Sequence, residues 1–438
     1  MSTNLNSAPK LGIFSLTTLL ISAQYGLGFL LGTAEQAIQR GIEGSLYAFS
    51  IGLGFIALLT LAKFYWQQTE PIWTLLGNRY GKSVKVGVGL MSWMSLIGIE
   101  AVQIIAGAAI LAVVGIPKLT SMLVLALLFC LLSLLPIEKV SWILRGLLLL
   151  NVLVLIYSLW ALQGLPIMMR SPINFLTSLP HINPSDGIGI LFCTVLLVTI
   201  DMKCQQYLVR ARDVATAVWS CILAAVTLIT LALLAGATAI AAQQAGIIPS
   251  SLDGKQVIPY VLAWISGGTE HFLGIVAIAT LAVPALGLGS SVLRVQTRTF
   301  FDLEMFSQWF GDRILVAAIN VLLALTIALK GGEIVDLILL FYAAYLSAAG
   351  IPFIAYLLDY FNVYTFSSNS VKLALSTGST SALASLLLIL IRSELVIFGS
   401  DRLTVTIIGL SMAIMSLLIN ELAEKLLPVL MVKKEIGS

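Results

Sequence analysis

Two polar side chains stand three residues apart in an otherwise apolar run, Ile99-Glu100-Ala101-Val102-Gln103, of a 438-residue chain. On a helix Glu100 and Gln103 share a face, about 21 Å along the axis from where the run begins near residue 86. A carboxyl group at that depth favours its neutral form, which suits it to exchange a proton or to receive an amine. The competing reading is structural, a protonated Glu100 hydrogen-bonded to a neighbouring helix, and the sequence leaves both open. The other acids read more plainly. Glu35 is expected as a solvated helix-end charge near Arg40 rather than a group lining a vestibule. Asp201 is expected in an interfacial ion pair with Lys203 rather than a proton relay, and Glu333 and Asp336 are expected to face water.

The elements that hold these side chains follow from composition. The chain is 59% hydrophobic and only 10% charged, far from the mixture that keeps a globular surface in water. A hydrocarbon core about 30 Å thick takes roughly 20 apolar residues per helix. Twelve such runs are present, at 11–39, 45–66, 86–115, 119–136, 142–163, 186–209, 213–243, 270–294, 312–329, 334–358, 371–391 and 402–428. The expected fold class is therefore an all-α polytopic membrane protein of about 12 helices.

An even number of crossings puts both termini on one side, and basic residues choose it. Of the 24 Lys and Arg, 17 map to one face, among them Lys63, Arg79, Lys82, Lys85, Arg210 and Arg212. Arg40, Lys118, Arg170, Lys255, Lys330, Arg392 and Arg402 map to the other. Both termini are thus expected in the cytoplasm of a cell whose plasma (inner) membrane holds the protein. The partners implied are the lipid bilayer and a small solute. Tails are expected at 1–10 and 429–438, and interfacial or re-entrant segments in the longer external connections at 164–185 and 244–269.

In lipid every backbone N–H and C=O needs a partner, so a break in a spanning helix persists only where protein or an aqueous cavity serves the freed groups. The first run carries Ser22-Ala23-Gln24-Tyr25-Gly26-Leu27-Gly28, followed by Phe29, Gly32 and Glu35. The sixth opens with Asp186-Gly187-Ile188-Gly189 and carries Thr194 and Thr199 toward Asp201. Breaks in helices one and six are the arrangement expected of an inverted repeat with a midplane site. The competing explanation, close packing through Gly28 and Gly32, accounts for single glycines better than for the cluster. Gln24, Gly26, Phe29, Glu100 and Gln103 are the candidate solute contacts.

Several function classes are excluded. Gly77-Asn78-Arg79-Tyr80-Gly81-Lys82-Ser83 is one residue short of a nucleotide loop and precedes no soluble sheet. No H-E-x-x-H or G-x-S-x-G occurs, so no enzyme is expected. No basic run suggests a nucleic acid. His181, His271 and the four cysteines lack metal-ligand spacing, and no cofactor is expected beyond a coupling ion, Na+ or H+.

Four segments resemble the sodium:solute symporter family, whose members share the leucine-transporter fold of two inverted five-helix repeats plus further helices. They are Ser22 to Gly44; Thr74-Leu75-Leu76-Gly77-Asn78-Arg79-Tyr80-Gly81; Gln205-Gln206-Tyr207-Leu208 with Arg212, Asp213 and Ala217; and Pro259 to Asp302. The resemblance implies a core at 11–360, with repeats at 11–165 and 184–360, and two additional helices over 361–428. It also implies a sodium site using carbonyls near Ser22 and Tyr25 with hydroxyls from the eighth helix. The sequence departs from the family there: Gln206 stands where Gln-Arg is usual, and the hydroxyl positions fall on Leu286 and Gly287. A hard cation wants oxygen ligands, so Ser290 or Ser291 must substitute, or the ion is a proton taken at Glu100. The expectation is cation-coupled symport of a small polar organic solute by alternating access. The alternative is a transport-derived sensor or a membrane-complex subunit that binds solute without moving it.

Overall fold

The computed structural model describes residues 10–134, 137–303, 313–391 and 396–436, with backbone alone at 137–145, 147, 282–283, 390 and 427–436. Apart from Lys10, the N-terminal tail expected over 1–10 lies outside the described residues, as does Arg392. The described residues form helices without a strand; one isolated bridge joins Leu11 to Ala211.

The chain opens with α1 (Ile13–Gln24) and α2 (Leu27–Arg40), then α3 (Leu46–Gln67), the short α4 (Ile72–Tyr80), α5 (Lys82–Val113), α6 (Lys118–Ser133) and α7 (Ile137–Ala161). There follow α8 (Leu165–Ser178), α9 (Pro184–Ile200), α10 (Met202–Leu208), α11 (Val214–Gln244), α12 (Val257–Ile265) and α13 (Phe272–Asp302). The last are α14 (Arg313–Lys330), α15 (Ile334–Tyr360), α16 (Ser368–Ile391) and α17 (Asp401–Ile436). Among the described residues nine helices are long and apolar enough to cross a membrane, and up to eleven if each of two bent pairs is one span. With the pair α1–α2 as one crossing, and with α6 and α7, each of the twelve expected runs holds a helix among the described residues. α17 continues to Ile436, so most of the expected C-terminal tail is helix.

Local chemistry sets these boundaries. α9 starts at the pair Asn183-Pro184, where the Asn183 side chain accepts from the Ser185 N–H at 3.0 Å and proline takes a first-turn position whose N–H would have no intrahelical acceptor. α11 starts at Asp213, whose carboxylate accepts from the Thr216 N–H at 2.7 Å. α2 stops at Gly41, which takes a φ of +81° that only glycine adopts cheaply. α8 turns 102° away from α7 and exposes Met169, Ile173 and Leu176, as a helix lying in the membrane interface does.

Two compact units emerge, residues 1–69 with 96–339, and residues 70–95 with 340–438. In the first, α1, α2, α3, α9, α10 and α11 pack on one another, with α3 against both α9 and α11 and with α11 against α1 and α2. A second group joins α6, α7, α13 and α14, centred on α13. Small residues allow the approach: a Cβ at Gly54 would press into Val198 of α9, and one at Gly289 would press into the Phe129 ring of α6. In the second unit α16 packs along α17 and α4 rests on α16, while Arg79 Nε donates to Asp359 Oδ2 at 2.5 Å.

Candidate functional site

The first break lies where the two helix groups of the larger unit meet. α1 ends at Gln24 and α2 begins at Leu27, with a 57° bend between them. The Gly26 N–H turns back to the Gln24 carbonyl at 2.9 Å, and the Leu27 N–H leaves the helix ladder for Gln103 Oε1 at 3.2 Å. In an unbroken helix those two N–H groups would serve the carbonyls of Ser22 and Ala23, which are thereby released. Gly26 is required sterically, because a Cβ there would overlap Leu288 Cδ2 of α13 and stand 3.3 Å from Gln103 Oε1.

The second break falls at Asp201, the residue toward which the sixth run carries Thr194 and Thr199, while Asp186-Gly187-Ile188-Gly189 opens α9 behind the Asn183 cap as the sequence suggests. Asp201 is extended (φ −74°, ψ 117°) between α9 and α10. Its Oδ1 accepts from the Lys203 N–H at 2.8 Å, so the Thr199 carbonyl that this N–H would serve takes the Tyr65 hydroxyl instead. The ion pair expected of Asp201 and Lys203 forms, at 3.3 Å, but it is buried rather than interfacial, with the side chains 7% and 3% exposed.

The two breaks are joined directly. Gln24 Nε2 donates to Asp201 Oδ2 at 2.8 Å and reaches Cys204 Sγ at 3.4 Å. A third polar connection runs into the second helix group: the Tyr25 hydroxyl donates to Asn151 Oδ1 at 2.9 Å, and Asn151 Nδ2 reaches Thr280 Oγ1 of α13 at 3.4 Å. Asn151 is not among the expected site residues. Its signal in the sequence is a single amide inside Leu147-Leu148-Leu149-Leu150-Asn151-Val152-Leu153-Val154.

The structure thus brings Gln24, Tyr25, Gly26 and Gln103 together, and Phe29 packs its ring 5.3 Å from that of Tyr25. Glu100 is fully buried, and neither of its carboxyl oxygens has a hydrogen-bond partner among the described residues. Ser22 is turned to its own helix, donating to the Thr18 carbonyl at 2.8 Å. Ser290 likewise donates to the Gly287 carbonyl at 3.3 Å. The α13 side chain that meets the break is Leu288, with Ser290 and Ser291 beyond it. No group of three His, Cys, Asp or Glu able to hold a metal occurs among the described residues.

At its far end α2 departs from expectation. Glu35 is not solvated beside Arg40: it is 2% exposed, its Oε1 lies 3.0 Å from Lys255 Nζ, and its Oε2 accepts from the Ile334 N–H at 3.3 Å. The reason lies in the connection before α12, which folds a short turn over α2 and sets Gly254 against the Glu35 stem. Arg40 instead approaches Asp186, at 4.0 Å, and Glu333 accepts from Gln36 Nε2 at 3.0 Å. Burial opposes the charge of Lys255, but Glu35 and Asp253 outweigh it and hold the ammonium above the ordinary lysine range.

No family model matches the chain, and no curated protein matches it in sequence. Solved structures do match in fold. A Na+-coupled sialic acid symporter in a substrate-bound, outward-open state aligns with a TM-score of 0.60 at 16% identity, over 93% of this chain and 96% of that one. The manganese transporter of Eremococcus coleocola gives 0.57 at 15%, over 95% and 99%. Mhp1, a nucleobase-cation-symport-1 family transporter, in a closed conformation with bromovinylhydantoin bound, gives 0.57 at 12%, over 95% and 94%. The chain therefore has the leucine-transporter-type fold expected of it, an all-α multi-pass membrane architecture built on an inverted five-helix repeat.

Proposed function

We propose that the protein is a secondary active transporter, which carries a small polar organic solute by alternating access in symport with a cation. The observation that carries this reading is the pair of helix breaks joined by Gln24 and Asp201 at membrane depth. Such breaks survive in lipid where they serve a site, and the first of them faces the second helix group through Tyr25 and Asn151, so that relative movement of the two groups can expose the site to either side. The fold is shared with proteins named as symporters, which supports the same conclusion.

Gln24, Gly26, Phe29, Glu100 and Gln103 form the solute side of the site in this proposal. Of the two coupling cations, the arrangement favours the proton. The carbonyls released at Ser22 and Ala23 suit a hard cation, but α13 turns Leu288 toward the break while the Ser290 hydroxyl is engaged with its own helix. Glu100 supplies a carboxyl group whose oxygens have no hydrogen-bond partner among the described residues. The core spans 11–360, with repeats at 11–165 and 184–360, and the helices over 361–428 are additional to it. The same proposal places the chain in the plasma membrane with both termini cytoplasmic.

The test is thermal unfolding of the purified protein against a panel of amino acids, carboxylates, nucleobases and sugars, in sodium and in choline buffer at pH 6 and pH 8. A ligand of the native state raises Tm by mass action. A solute identified in this way is then given to proteoliposomes carrying a proton or a sodium gradient. Uphill accumulation supports the reading. Saturable binding without uptake or counterflow would replace the transporter with a solute-binding sensor or subunit.

A further inference from the structure

The face of α4 that meets α5 carries two polar donors without an acceptor among the described residues. Gly77 identifies that face: a Cβ there would press into the Lys85 stem in the first turn of α5. Trp73 stands four residues before Gly77 and Tyr80 three after it, so all three share one side of the helix. Trp73 is 2% exposed and Tyr80 1%, yet neither the indole Nε1 nor the phenol oxygen has a hydrogen-bond partner. Such groups are costly to bury unless something accepts from them.

Positive charge gathers at the same junction. α5 follows Gly81 with Lys82-Ser83-Val84-Lys85 and has no acidic residue in its first turn. A helix N-terminus is itself positive, and its first N–H groups lack intrahelical acceptors. α16 forms the third side, where a Cβ at Gly87 would press on Leu375. At Gly81, which takes a φ of +101°, an added Cβ would find only Lys372, its Cε at 3.7 Å and its Nζ at 4.0 Å. Lys82, Lys85 and Lys372 have no ion pair among the described residues. The two carboxylates that α4 reaches are already served, Asp359 by Arg79 at 2.5 Å and Glu70 by Asn78 at 2.7 Å.

Three ammonium groups, a helix N-terminus and two unused donors thus meet with no anion to neutralise them, and a phosphate suits such a set. Depth selects its source. Lys82 and Lys85 come just before the apolar run of α5, and Lys372 lies one turn inside α16, from where its stem carries the ammonium out to the headgroup layer. We infer that the junction of α4, α5 and α16 binds the phosphate of an anionic phospholipid from the leaflet on that side. Lys82, Lys85 and Lys372 supply the charge, and Tyr80 and Trp73 the hydrogen bonds. The inference needs the membrane but not transport.

For the test, the purified 438-residue chain is titrated with short-chain phosphatidylglycerol and phosphatidylcholine. Bound lipids are counted by native mass spectrometry, and Tm checks folding. The parent is expected to bind phosphatidylglycerol at least about tenfold more tightly, as three cations around one net negative charge require. Lys82→Gln, Lys85→Gln and Lys372→Gln combined are expected to abolish the preference and leave phosphatidylcholine binding unchanged. Lys63→Gln, Arg212→Gln and Arg313→Gln combined remove the same charge from basic residues expected on the same face of the membrane, and are expected to keep the preference. Equal loss in both would mean diffuse attraction and overturn the site. Tyr80→Phe removes only an unpartnered hydroxyl, so it is expected to keep parental Tm without phosphatidylglycerol and to weaken that lipid about threefold to tenfold. It carries the test if the triple lysine variant does not fold. Parental phosphatidylglycerol affinity in either folded variant overturns the inference. Inorganic phosphate is expected neither to raise Tm nor to displace the lipid, and displacement at equal concentration would make this a site for free phosphate and overturn the lipid assignment.

Discussion

Gln24 Nε2 donates to Asp201 Oδ2 at 2.8 Å across 177 residues of sequence, so the end of α1 and the start of α10 are one polar unit. Asp201 serves three donors at once: the Gln24 amide, the Lys203 N–H and the Lys203 ammonium. Gln24→Leu removes one and leaves a buried carboxylate oxygen served by the ammonium alone. The expected cost is about 1–3 kcal/mol, read as a lower Tm, with solute uptake lost. Gln24→Glu, which sets a second carboxylate against Asp201, is expected to be worse. A Gln24→Leu protein with parental Tm and uptake would show that the junction has no role.

The approach of α13 to the break rests on Gly26. Gly26→Ala places a methyl into Leu288 Cδ2, and overpacking of this kind costs about 1–3 kcal/mol. Leu288→Ala in the same chain clears the space, so the double variant is expected to be more stable than the sum of the single effects, by at least about 0.5 kcal/mol in a double-mutant cycle. Additive effects would mean that α13 yields freely and that Leu288 does not define the wall of the site.

The first break is legible in the sequence because its cause is local: a glycine between polar residues in an apolar run can be recognised without knowing any partner. The burial of Glu100 is legible for a similar reason, as an acid set inside one apolar helical run. The second break is harder to place because the sequence assigns it to the sixth run without fixing its residue, and Asp201 interrupts the helix through a side-chain cap that spacing does not announce. Glu35 reads wrongly from sequence because its burial depends on Lys255, 220 residues away, and on a connection whose path no periodicity specifies. Asn151 behaves in the same way: its amide gains meaning only from Tyr25 and Thr280 on other helices.

Asp213, in the loop before α11, gives a pH dependence that can be worked out in sign. The Thr216 backbone N–H, with help from its hydroxyl, holds the Asp213 carboxyl below the ordinary aspartate range. A folded-state value lower than the unfolded one contributes stability above the unfolded value, near pH 4, and that contribution is lost as pH falls through the folded value. Asp213→Asn keeps a capping oxygen without the charge. The parent is therefore expected to exceed Asp213→Asn in Tm at pH 6, with the gap closing below about pH 4. A gap that stays constant from pH 7 to pH 3 would assign the effect to something other than this charge.

Glu100→Gln separates the two coupling ions. The substitution keeps the shape of the side chain and removes only its exchangeable proton, and no cation is paired with the carboxyl oxygens among the described residues. The folded protein is therefore expected to survive with its Tm within about 1 kcal/mol of parental stability. If Glu100 carries the coupled proton, the variant loses uphill accumulation driven by a pH gradient but keeps solute exchange between the two faces, because exchange returns with the site loaded and needs no proton release. If the cation is instead sodium, held at the carbonyls freed by the break, Glu100→Gln accumulates solute on a sodium gradient as the parent does, and the proton is removed from the mechanism. Loss of both accumulation and exchange, in a protein that still folds, would place Glu100 in contact with the solute itself, and the substrate class would then be one that offers an amine.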